Sequence, residues 1–308
     1  MVRTRTVLLL ACCLMLSACG GNGAAQKQGA ATGGGNTQTT QQNESTGQVS
    51  PPKENTDPSA ELDKPEDPSS TSSSKSPDSP DPSEEAVKDP EAELPSEPKY
   101  HMNKVYRIVP NDESVPEKVV LLTFDDGPKD EKMINRMIDT LDKHKAKAIF
   151  FVNGYRAKEH PELLKLIHDR GQIIGNHSWD HIDLKKESKQ KVEKQIGDVQ
   201  KIVKEATGAE PKFFRPPFGS GGDTVKEVAL EHDLLFMTWS NGSLDWESKN
   251  KNKPDAVVSN VLEQLHPGSN ILMHELPWTA EALDALLTKL EAKGYGFVDP
   301  QWIEPKIR

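Results

Sequence analysis

Cysteine is scarce in this chain of 308 residues, and its three cysteines all lie within the first 19 positions, as Cys12, Cys13 and Cys19. The rest of the sequence has none, so no disulfide framework can hold the downstream part together. That part must be stabilised by the packing of a hydrophobic core.

Long hydrophobic runs are also missing. The most apolar stretch, residues 7–16, is too short to span a membrane, and it follows Arg3 and Arg5 as in a secretory signal. Residues 16–19 read LSAC and look like a bacterial lipobox, in which Cys19 is lipidated and becomes the first residue after cleavage. We therefore expect a lipoprotein signal peptide over residues 1–18 and a lipid anchor on the outer side of the cell membrane. The alternative is an ordinary signal peptide that is cut at Ala18.

Aliphatic and aromatic residues are rare over residues 19–100, which are rich in Gly, Gln and Thr and then in Pro, Ser, Asp and Glu. Such a segment cannot offset the entropy lost on ordering, so we expect a disordered tether. About 80 flexible residues would reach roughly 50 Å from the membrane towards the cell wall.

A basic stripe is absent as well. Residues 20–100 contain 15 acidic and 6 basic residues and thus most of the formal net charge of −10, whereas residues 101–308 contain 33 acidic and 30 basic residues. This nearly neutral part has no feature that predicts nucleic-acid binding. We expect it to be a monomer.

Short apolar runs alternate with amphipathic stretches over residues 101–308, which are long enough for one sizeable domain. A repeated strand and helix pattern predicts parallel strands with crossover helices, and seven such units closed into a ring would make a distorted (β/α) barrel. The predicted strands are at residues 119–122, 148–152, 172–175, 212–214, 234–239, 271–273 and 296–298. The predicted helices are at residues 133–141, 161–167, 186–206, 224–231, 255–265 and 280–292.

Polar residues follow the ends of several predicted strands, where the loops of an α/β barrel build active sites. They are Asp125 and Asp126, His177 and His181, Arg215, Asp245 with Trp246, and His274. Asp125 and Asp126 end the first strand, and their side chains are expected to point in different directions. One carboxylate could then bind a metal while the other takes a proton. An ordinary acidic turn is the alternative when this pair is taken alone.

Residues 177–181 read HSWDH and place two imidazoles four residues apart. On a helical turn they would share a face, and with Asp126 they would supply three ligands to a divalent metal such as Zn²⁺. A capping and a core histidine would be the structural alternative. Five others, which are interpreted as structural or solvated, have no partner pattern: His144, His160, His168, His232 and His266.

Five ordered segments resemble the motifs of the polysaccharide deacetylases, the NodB-homology group in carbohydrate esterase family 4. They are TFDDGP at residues 123–128, HSWDH at 177–181, RPPFG at 215–219, LDW at 244–246 and LMH at 272–274. The resemblance covers residues 117–300. It implies a distorted (β/α) barrel that removes N-acetyl or O-acetyl groups from a sugar polymer with a bound divalent metal, usually Zn²⁺ or Co²⁺.

The resemblance also implies a role for each matching residue. Asp125 would be the general base and Arg215 its partner, while the metal ligands would be Asp126, His177 and His181. His274 would be the general acid, kept cationic by Asp245. The backbone N–H of Phe218 would hold the developing oxyanion, and the acetyl methyl group would lie against Trp246 and Leu272.

Two positions depart from the family pattern. Phe218 stands where Tyr is common, which matters little if its role is a backbone N–H. Gly242 stands where an additional Asp often precedes the Asp-Trp pair, so we expect some change in groove shape there.

Other classes of protein remain open. A non-haem Fe²⁺ oxygenase also uses two histidines and a carboxylate, but it leaves Asp125, Arg215, Asp245 and His274 without a role. A non-catalytic cell-wall-binding lipoprotein could keep the same fold. A phosphatase is disfavoured because Gly127 occupies the place of its second carboxylate. Peptidoglycan is the most accessible substrate outside a membrane, and acetylated exopolysaccharide, chitin fragments and xylan remain alternatives.

Overall fold

The computed structural model describes residues 97–307, and strands alternate with helices along them. The strands are β1 (Tyr100–Met102), β2 (Ile108–Pro110), β3 (Val119–Gly127), β4 (Ala148–Val152), β5 (Ile173–Asn176), β6 (Phe213–Phe214), β7 (Leu235–Phe236), β8 (Asn241–Gly242), β9 (Ser269–His274), β10 (Gly296–Phe297) and β11 (Ile303–Ile307). The α-helices are α1 (Glu131–Lys143), α2 (Gly154–Glu159), α3 (Pro161–Asp169), α4 (Lys189–Thr207), α5 (Asp223–Glu231), α6 (Pro254–Glu263) and α7 (Pro277–Ala292).

Eight of the strands in this range form one sheet, in the order β7-β6-β5-β4-β3-β9-β8, with β10 pairing with the start of β3. Every pairing in the sheet is parallel. The predicted fold class is confirmed, and all seven predicted strands are present. The sequence analysis did not predict β8, which is only two residues long, or the separate sheet of β1, β2 and β11.

The sheet curls into an open half-barrel, because β7 and β8 are its two edges and no ladder between them is found within residues 97–307. Only residues 237–240 separate these two strands. Parallel neighbouring strands need a crossover of a dozen or more residues. A connection of this length therefore cannot pair β7 with β8. The side chains of Arg215 and Asn270 fill the gap by donating hydrogen bonds to the carbonyl oxygen of Thr238 at 2.9 to 3.2 Å.

Strand β3 shows how the layers are built, because its alternate residues belong to two different cores. Val120, Leu122 and Phe124 pack with the helices in the largest cluster. Val119 and Leu121 point the other way, into a second cluster that fills the bottom of the half-barrel. The small sheet contributes to this second cluster through Tyr100, Met102, Ile108 and Ile303, so it closes the bottom of the half-barrel.

The helices begin and end where local chemistry allows. Asp130 and Ser188 cap α1 and α4 by accepting from backbone N–H groups, and Gly208, at φ 80°, ends α4. Pro161 is the first residue of α3, as predicted. The sequence analysis began α4 too early, because residues 184–186 form a separate 3₁₀ turn before Ser188.

The predicted signal peptide (residues 1–18), the lipidation site at Cys19 and nearly all of the predicted tether (residues 19–100) lie outside the described residues. In the described part of the chain, no helix combines the length and the apolar character that a membrane crossing requires.

Candidate active site

Asp125 and Asp126 lie at the carboxyl end of β3, where the regular strand is interrupted. The register with β4 shifts between Phe124 and Gly127, and Asp126 adopts a left-handed conformation with φ 67°. The side chain of Asp125 continues the interior row of Leu121 above the apolar cluster. The two adjacent carboxylates therefore reach different surroundings, as predicted.

Arg215 pairs with Asp125 inside the half-barrel. Its Nη1 donates to Asp125 Oδ1 at 2.7 Å and to Thr123 Oγ1 at 2.7 Å, and its Nη2 donates to Asn270 Oδ1 at 3.1 Å. The guanidinium is fully buried and lies 4.5 Å from the ring centre of Phe151. Burial lowers the pKa of Arg215, and the Asp125 carboxylate counteracts this shift. These contacts fix the Asp125 carboxylate in one orientation.

His177 and His181 are brought together by a loop after β5. The expectation of a helical turn was wrong, because residues 177–181 are not helical and both Ser178 and His181 have positive φ angles, of 66° and 53°. The Ser178 N–H donates to Asn176 Oδ1 at 3.0 Å, which stabilises the turn. The loop nevertheless places the two imidazole centres 5.1 Å apart.

His177 has only one nitrogen free for a ligand. Its Nδ1 lies 2.7 Å from the carbonyl oxygen of Arg215, to which it must donate, so Nε2 carries the lone pair. Nε2 lies 3.5 Å from Asp126 Oδ1 and 3.7 Å from Asp125 Oδ2. The hydrogen bond from Nδ1 to the Arg215 carbonyl oxygen orients the ring, as in many metal sites.

The arrangement of Asp126, His177 and His181 fits a divalent cation. Their ligand atoms lie within 4.8 Å of one another, and they are the one such group of three or more found among residues 97–307. Asp126 Oδ1 is 3.2 Å from His181 Nε2, and it is buried without a hydrogen-bond partner in this part of the chain. A carboxylate oxygen and imidazole nitrogens that converge on one point are the donor set of a zinc-type site.

Electrostatics favour the deprotonated forms of Asp126 and His181. Burial raises the pKa of Asp126, but the close contact with His177 and the charges of His177, His274 and His181 more than offset it, so this pKa is held below its usual range. Burial lowers the pKa of His181, and the Asp126 charge only partly counteracts this effect. A neutral imidazole and an ionised carboxylate are the forms that bind metals.

Asp245 and His274 form a second buried pair on the same rim. Asp245 Oδ1 accepts from His274 Nδ1 at 2.7 Å, and its Oδ2 accepts from the His274 backbone N–H at 2.8 Å and from Thr279 Oγ1 at 2.6 Å. The indole N–H of Trp278 donates to the Asp245 carbonyl oxygen at 2.9 Å. In the chain, Asp245 follows β8, which was not predicted, and not directly the strand predicted at residues 234–239.

The pair keeps the imidazole of His274 charged to higher pH than usual. Burial lowers the pKa of His274, but the hydrogen bond and charge of Asp245 and the charges of Asp125 and Asp126 outweigh it, so the pKa is raised. With Nδ1 bound to Asp245, Nε2 is the ring atom that remains to face a substrate.

Aromatic and aliphatic side chains flank these polar groups. Phe218, at φ 60°, exposes 67% of its surface, and its ring centre lies 4.7 Å from that of His181. Trp246 exposes 43% of its surface, and its ring meets His274 edge-on with centres 5.3 Å apart. Leu272 is buried on β9 and points to the same face as His274 two residues later.

Comparisons with known proteins agree with this geometry. Residues 112–237 match the polysaccharide deacetylase family. The solved structure of the peptidoglycan deacetylase PdaC from Bacillus subtilis is 36% identical in sequence, with a TM-score of 0.54, and the match covers 59% of this chain and 87% of that one. The chain belongs to the polysaccharide deacetylase family.

Two further members of the family bear on its function. The peptidoglycan-N-acetylglucosamine deacetylase PgdA of Listeria monocytogenes is 40% identical over 200 residues, which are 62% of this chain. The match spans only 41% of the Listeria protein. A family pseudoenzyme from Bacillus anthracis, BA3943, is 31% identical with a TM-score of 0.57, and the match covers 62% of this chain and 67% of that one.

Some residues at this family site could not be recognised from the sequence alone. Thr123 and Asn270 bind Arg215, and Trp278 and Thr279 bind Asp245. Thr123 is part of the TFDDGP segment, and that position was its only signal. The other three have no local pattern, because their partners lie 33 to 55 residues away in sequence.

Proposed function

We propose that this chain is a metal-dependent deacetylase that hydrolyses N-acetyl or O-acetyl groups of an extracellular polysaccharide, with peptidoglycan amino sugars as the main substrate. The observation that supports this proposal most is the convergence of three units on one rim. They are Asp125 with Arg215, Asp126 with His177 and His181, and Asp245 with His274.

Asp126, His177 and His181 would hold the divalent cation, with Zn²⁺ the first choice for this donor set and Co²⁺ the second. When bound, such a cation polarises the acetyl carbonyl and lowers the pKa of a coordinated water towards about 7.

Asp125 would take a proton from the attacking water. Its Oδ1 accepts from Arg215, whereas its Oδ2 lies on the side of His177, 3.7 Å from Nε2. The hydrogen bond and ion pair with Arg215 hold the Asp125 carboxylate in the orientation in which it would accept a proton. The pairing also prevents the carboxylate from rotating away.

His274 would protonate the leaving atom. In N-deacetylation, water oxygen bonds to the acetyl carbon, the carbon–nitrogen bond breaks, and the amine nitrogen receives a proton from His274 Nε2. Acetate and a free amine are the products. The charge of Asp245 stabilises the imidazolium before transfer, and Thr279 holds Asp245 in place.

The acetyl group would lie between the aromatic and aliphatic flanks. The Phe218 backbone N–H would stabilise the oxyanion, and Trp246 with Leu272 would contact the methyl group. The exposure of Phe218 and Trp246 on the rim leaves both rings accessible to a glycan.

The substrate assignment is supported by the relatives, since PgdA and PdaC are both peptidoglycan deacetylases. The location is supported by the sequence, because lipidated Cys19 would tether a monomeric domain outside the membrane, beside the wall. Exopolysaccharide and chitin-like polymers share the acetylamino group and are the competing substrates.

A non-catalytic wall-binding lipoprotein is the second candidate, because the fold also resembles the BA3943 pseudoenzyme. A protein of this fold that has lost catalysis would be expected to lack the base or the acid. Here the Asp125–Arg215 and Asp245–His274 pairs are both present at 2.7 Å.

A substrate panel tests the proposal. The protein is incubated in parallel with purified peptidoglycan, chitooligosaccharides and acetylxylan, with Zn²⁺ or Co²⁺ restored after chelation, and released acetate is measured. We expect the highest rate with peptidoglycan. Binding to peptidoglycan without acetate release from any polymer would instead support the wall-binding candidate.

A further inference from the structure

Glu275 is a buried carboxyl group that the proposed reaction does not use. It directly follows β9 and His274, and only 1% of its surface is exposed. Burial raises its pKa to about 7, with the charges of Lys129 and Arg156 partly counteracting the shift. Burying a carboxyl group costs free energy unless it makes compensating contacts, so its contacts identify what it stabilises.

Within residues 97–307, the hydrogen bonds of Glu275 outside its own neighbourhood go to one segment of the chain, residues 125–129. Its backbone N–H donates to the carbonyl oxygen of Asp125 at 3.3 Å, and its Oε2 accepts from the backbone N–H of Lys129 at 3.0 Å. Its carbonyl oxygen accepts from Lys129 Nζ at 3.2 Å. Glu275 therefore holds the chain on both sides of Asp126.

This segment needs support from outside. Asp126 has a φ of 67°, and a residue with a side chain keeps such a conformation only where the surrounding structure enforces it. The strand register is also shifted here, so the regular ladder with β4 cannot supply all the support.

Gly127 shows how closely the two parts fit. A Cβ at this position would overlap the Glu275 carboxyl group. The carboxyl group therefore packs directly against the backbone next to Asp126, where only glycine leaves room for it.

We propose that Glu275 is a positioning residue that holds residues 125–129 and so aims the Asp126 carboxylate at His177 and His181. This inference rests on the proposed function in that it takes the three ligands to bind a divalent cation. Glu275 itself would contact neither the cation nor the substrate.

The test measures the dissociation constant for Zn²⁺ in the full chain by competition with a chelator, together with the visible absorption of the Co²⁺ form. Glu275→Ala removes the acceptor for Lys129 N–H, and Glu275→Asp keeps the carboxyl group but withdraws it by one methylene. We expect both to bind Zn²⁺ about 10 to 100 times more weakly and to change the Co²⁺ spectrum, the range seen for outer partners of metal ligands. Glu275→Gln keeps an acceptor at the same place and should bind within about threefold of wild type.

Val203→Ala on α4 is the control for general loss of stability, since Val203 is buried in the core without contributing a polar group. It should lower the melting temperature and leave the Zn²⁺ affinity unchanged. Wild-type affinity and an unchanged Co²⁺ spectrum in Glu275→Ala or Glu275→Asp would overturn the inference while leaving the proposed function intact. An equal loss of affinity in Val203→Ala would also overturn it. A wild-type protein that binds neither cation would contradict the proposed function itself.

Discussion

Asp125 and Asp126 are neighbours in sequence and both approach His177, but Asp125 pairs with Arg215 and Asp126 approaches His181. Asp125 contacts the buried Arg215 guanidinium, whereas Asp126 lies 3.2 to 3.5 Å from the imidazoles of His181 and His177. The change of direction between them comes from the positive φ angle of Asp126. Two identical side chains can thus be assigned two different tasks.

Substitution of each aspartate should separate these tasks. Asp126→Ala and His177→Ala should lose the bound metal, because each removes one of three ligands. Asp125→Asn should keep the metal and lower turnover about 10² to 10⁴-fold, the range for a lost general base. Metal content by atomic absorption and acetate release report the two properties. Equal metal loss in all three variants would contradict the assignment of Asp125 as the base.

The Asp245–His274 pair predicts a specific pH dependence. Because the His274 pKa is raised, its cationic form persists above the usual range and is lost as the pH rises through that raised value. Turnover should therefore fall on the basic side with the deprotonation of His274. Asp245→Asn removes the stabilising charge, so the basic limb should move to lower pH by about 1 to 3 units and turnover should fall.

The matched control for this variant is Glu247→Gln, two residues further on, whose carboxylate pairs with Lys249 outside the site. Its pH profile should equal that of wild type, and neither variant should change the metal content. An unmoved basic limb in Asp245→Asn would mean that His274 has another partner or another role.

For single residues, the sequence predicts which residue types come together at the site, because polar residues at the carboxyl ends of parallel strands meet on one rim. It does not predict how they are held. The left-handed Ser178 and His181 are not glycines, so the sequence carries no sign of the loop that replaces the expected helical turn. Thr279 supports Asp245 from 34 positions away, which no local pattern records.

Among the elements, β3 links the core to the site. Its interior residues change along the strand from Val119 and Leu121 to Thr123 and Asp125. One strand therefore contributes first to the second apolar cluster and then to the polar rim. The turn before β9 fixes the bottom of this assembly, since Gly268 donates to the carbonyl oxygen of Val119 and accepts from the N–H of Ile108, both at 2.9 Å.

Gly268→Ala should be strongly destabilising. Gly268 has a φ of 71°, and a Cβ there would overlap the backbone carbonyl of Ile108 in the small sheet, which cannot move aside as a flexible side chain can. We expect a loss of about 2 to 4 kcal/mol in the free energy of unfolding, measured in urea.

Gly208→Ala is the matched control for the backbone conformation. Gly208 has a φ of 80°, with nothing within 4 Å of the added Cβ, so only the left-handed conformation costs free energy, about 1 kcal/mol. Equal losses in the two variants would show that the small sheet does not press against this turn.

The elements themselves were largely predictable, because buried parallel strands are continuous apolar runs and amphipathic helices repeat every three or four residues. The failures have physical causes. Strand β8 is a two-residue Asn-Gly segment without an apolar signal, and the open edge beside it depends on the four-residue connection from β7.

At the scale of the whole molecule, the half-barrel separates an apolar bottom from a polar rim. The small sheet and the second cluster fill the bottom, and the buried Arg215 lies directly above them, against Phe151. The proposed catalytic groups are therefore attached to a packed interior. The predicted tether and anchor would hold the domain near the membrane without altering this chemistry.

Cys19→Ala tests the anchor. If Cys19 carries the lipid, this variant should leave the membrane fraction and keep wild-type acetate release in solution, because the tether separates the anchor from the domain. Cys13→Ala, within the predicted signal peptide, is the control and should stay anchored. Membrane association of Cys19→Ala after signal cleavage would contradict the lipoprotein assignment.

The most direct measurement of the central claim is acetate release from purified peptidoglycan by chelated protein before and after Zn²⁺ is restored, compared with Asp125→Asn carrying the same amount of Zn²⁺. The account predicts negligible release from the chelated protein, recovery with Zn²⁺, and little release from the loaded Asp125→Asn variant. Release that is independent of the metal, or equal in wild type and Asp125→Asn, would contradict it.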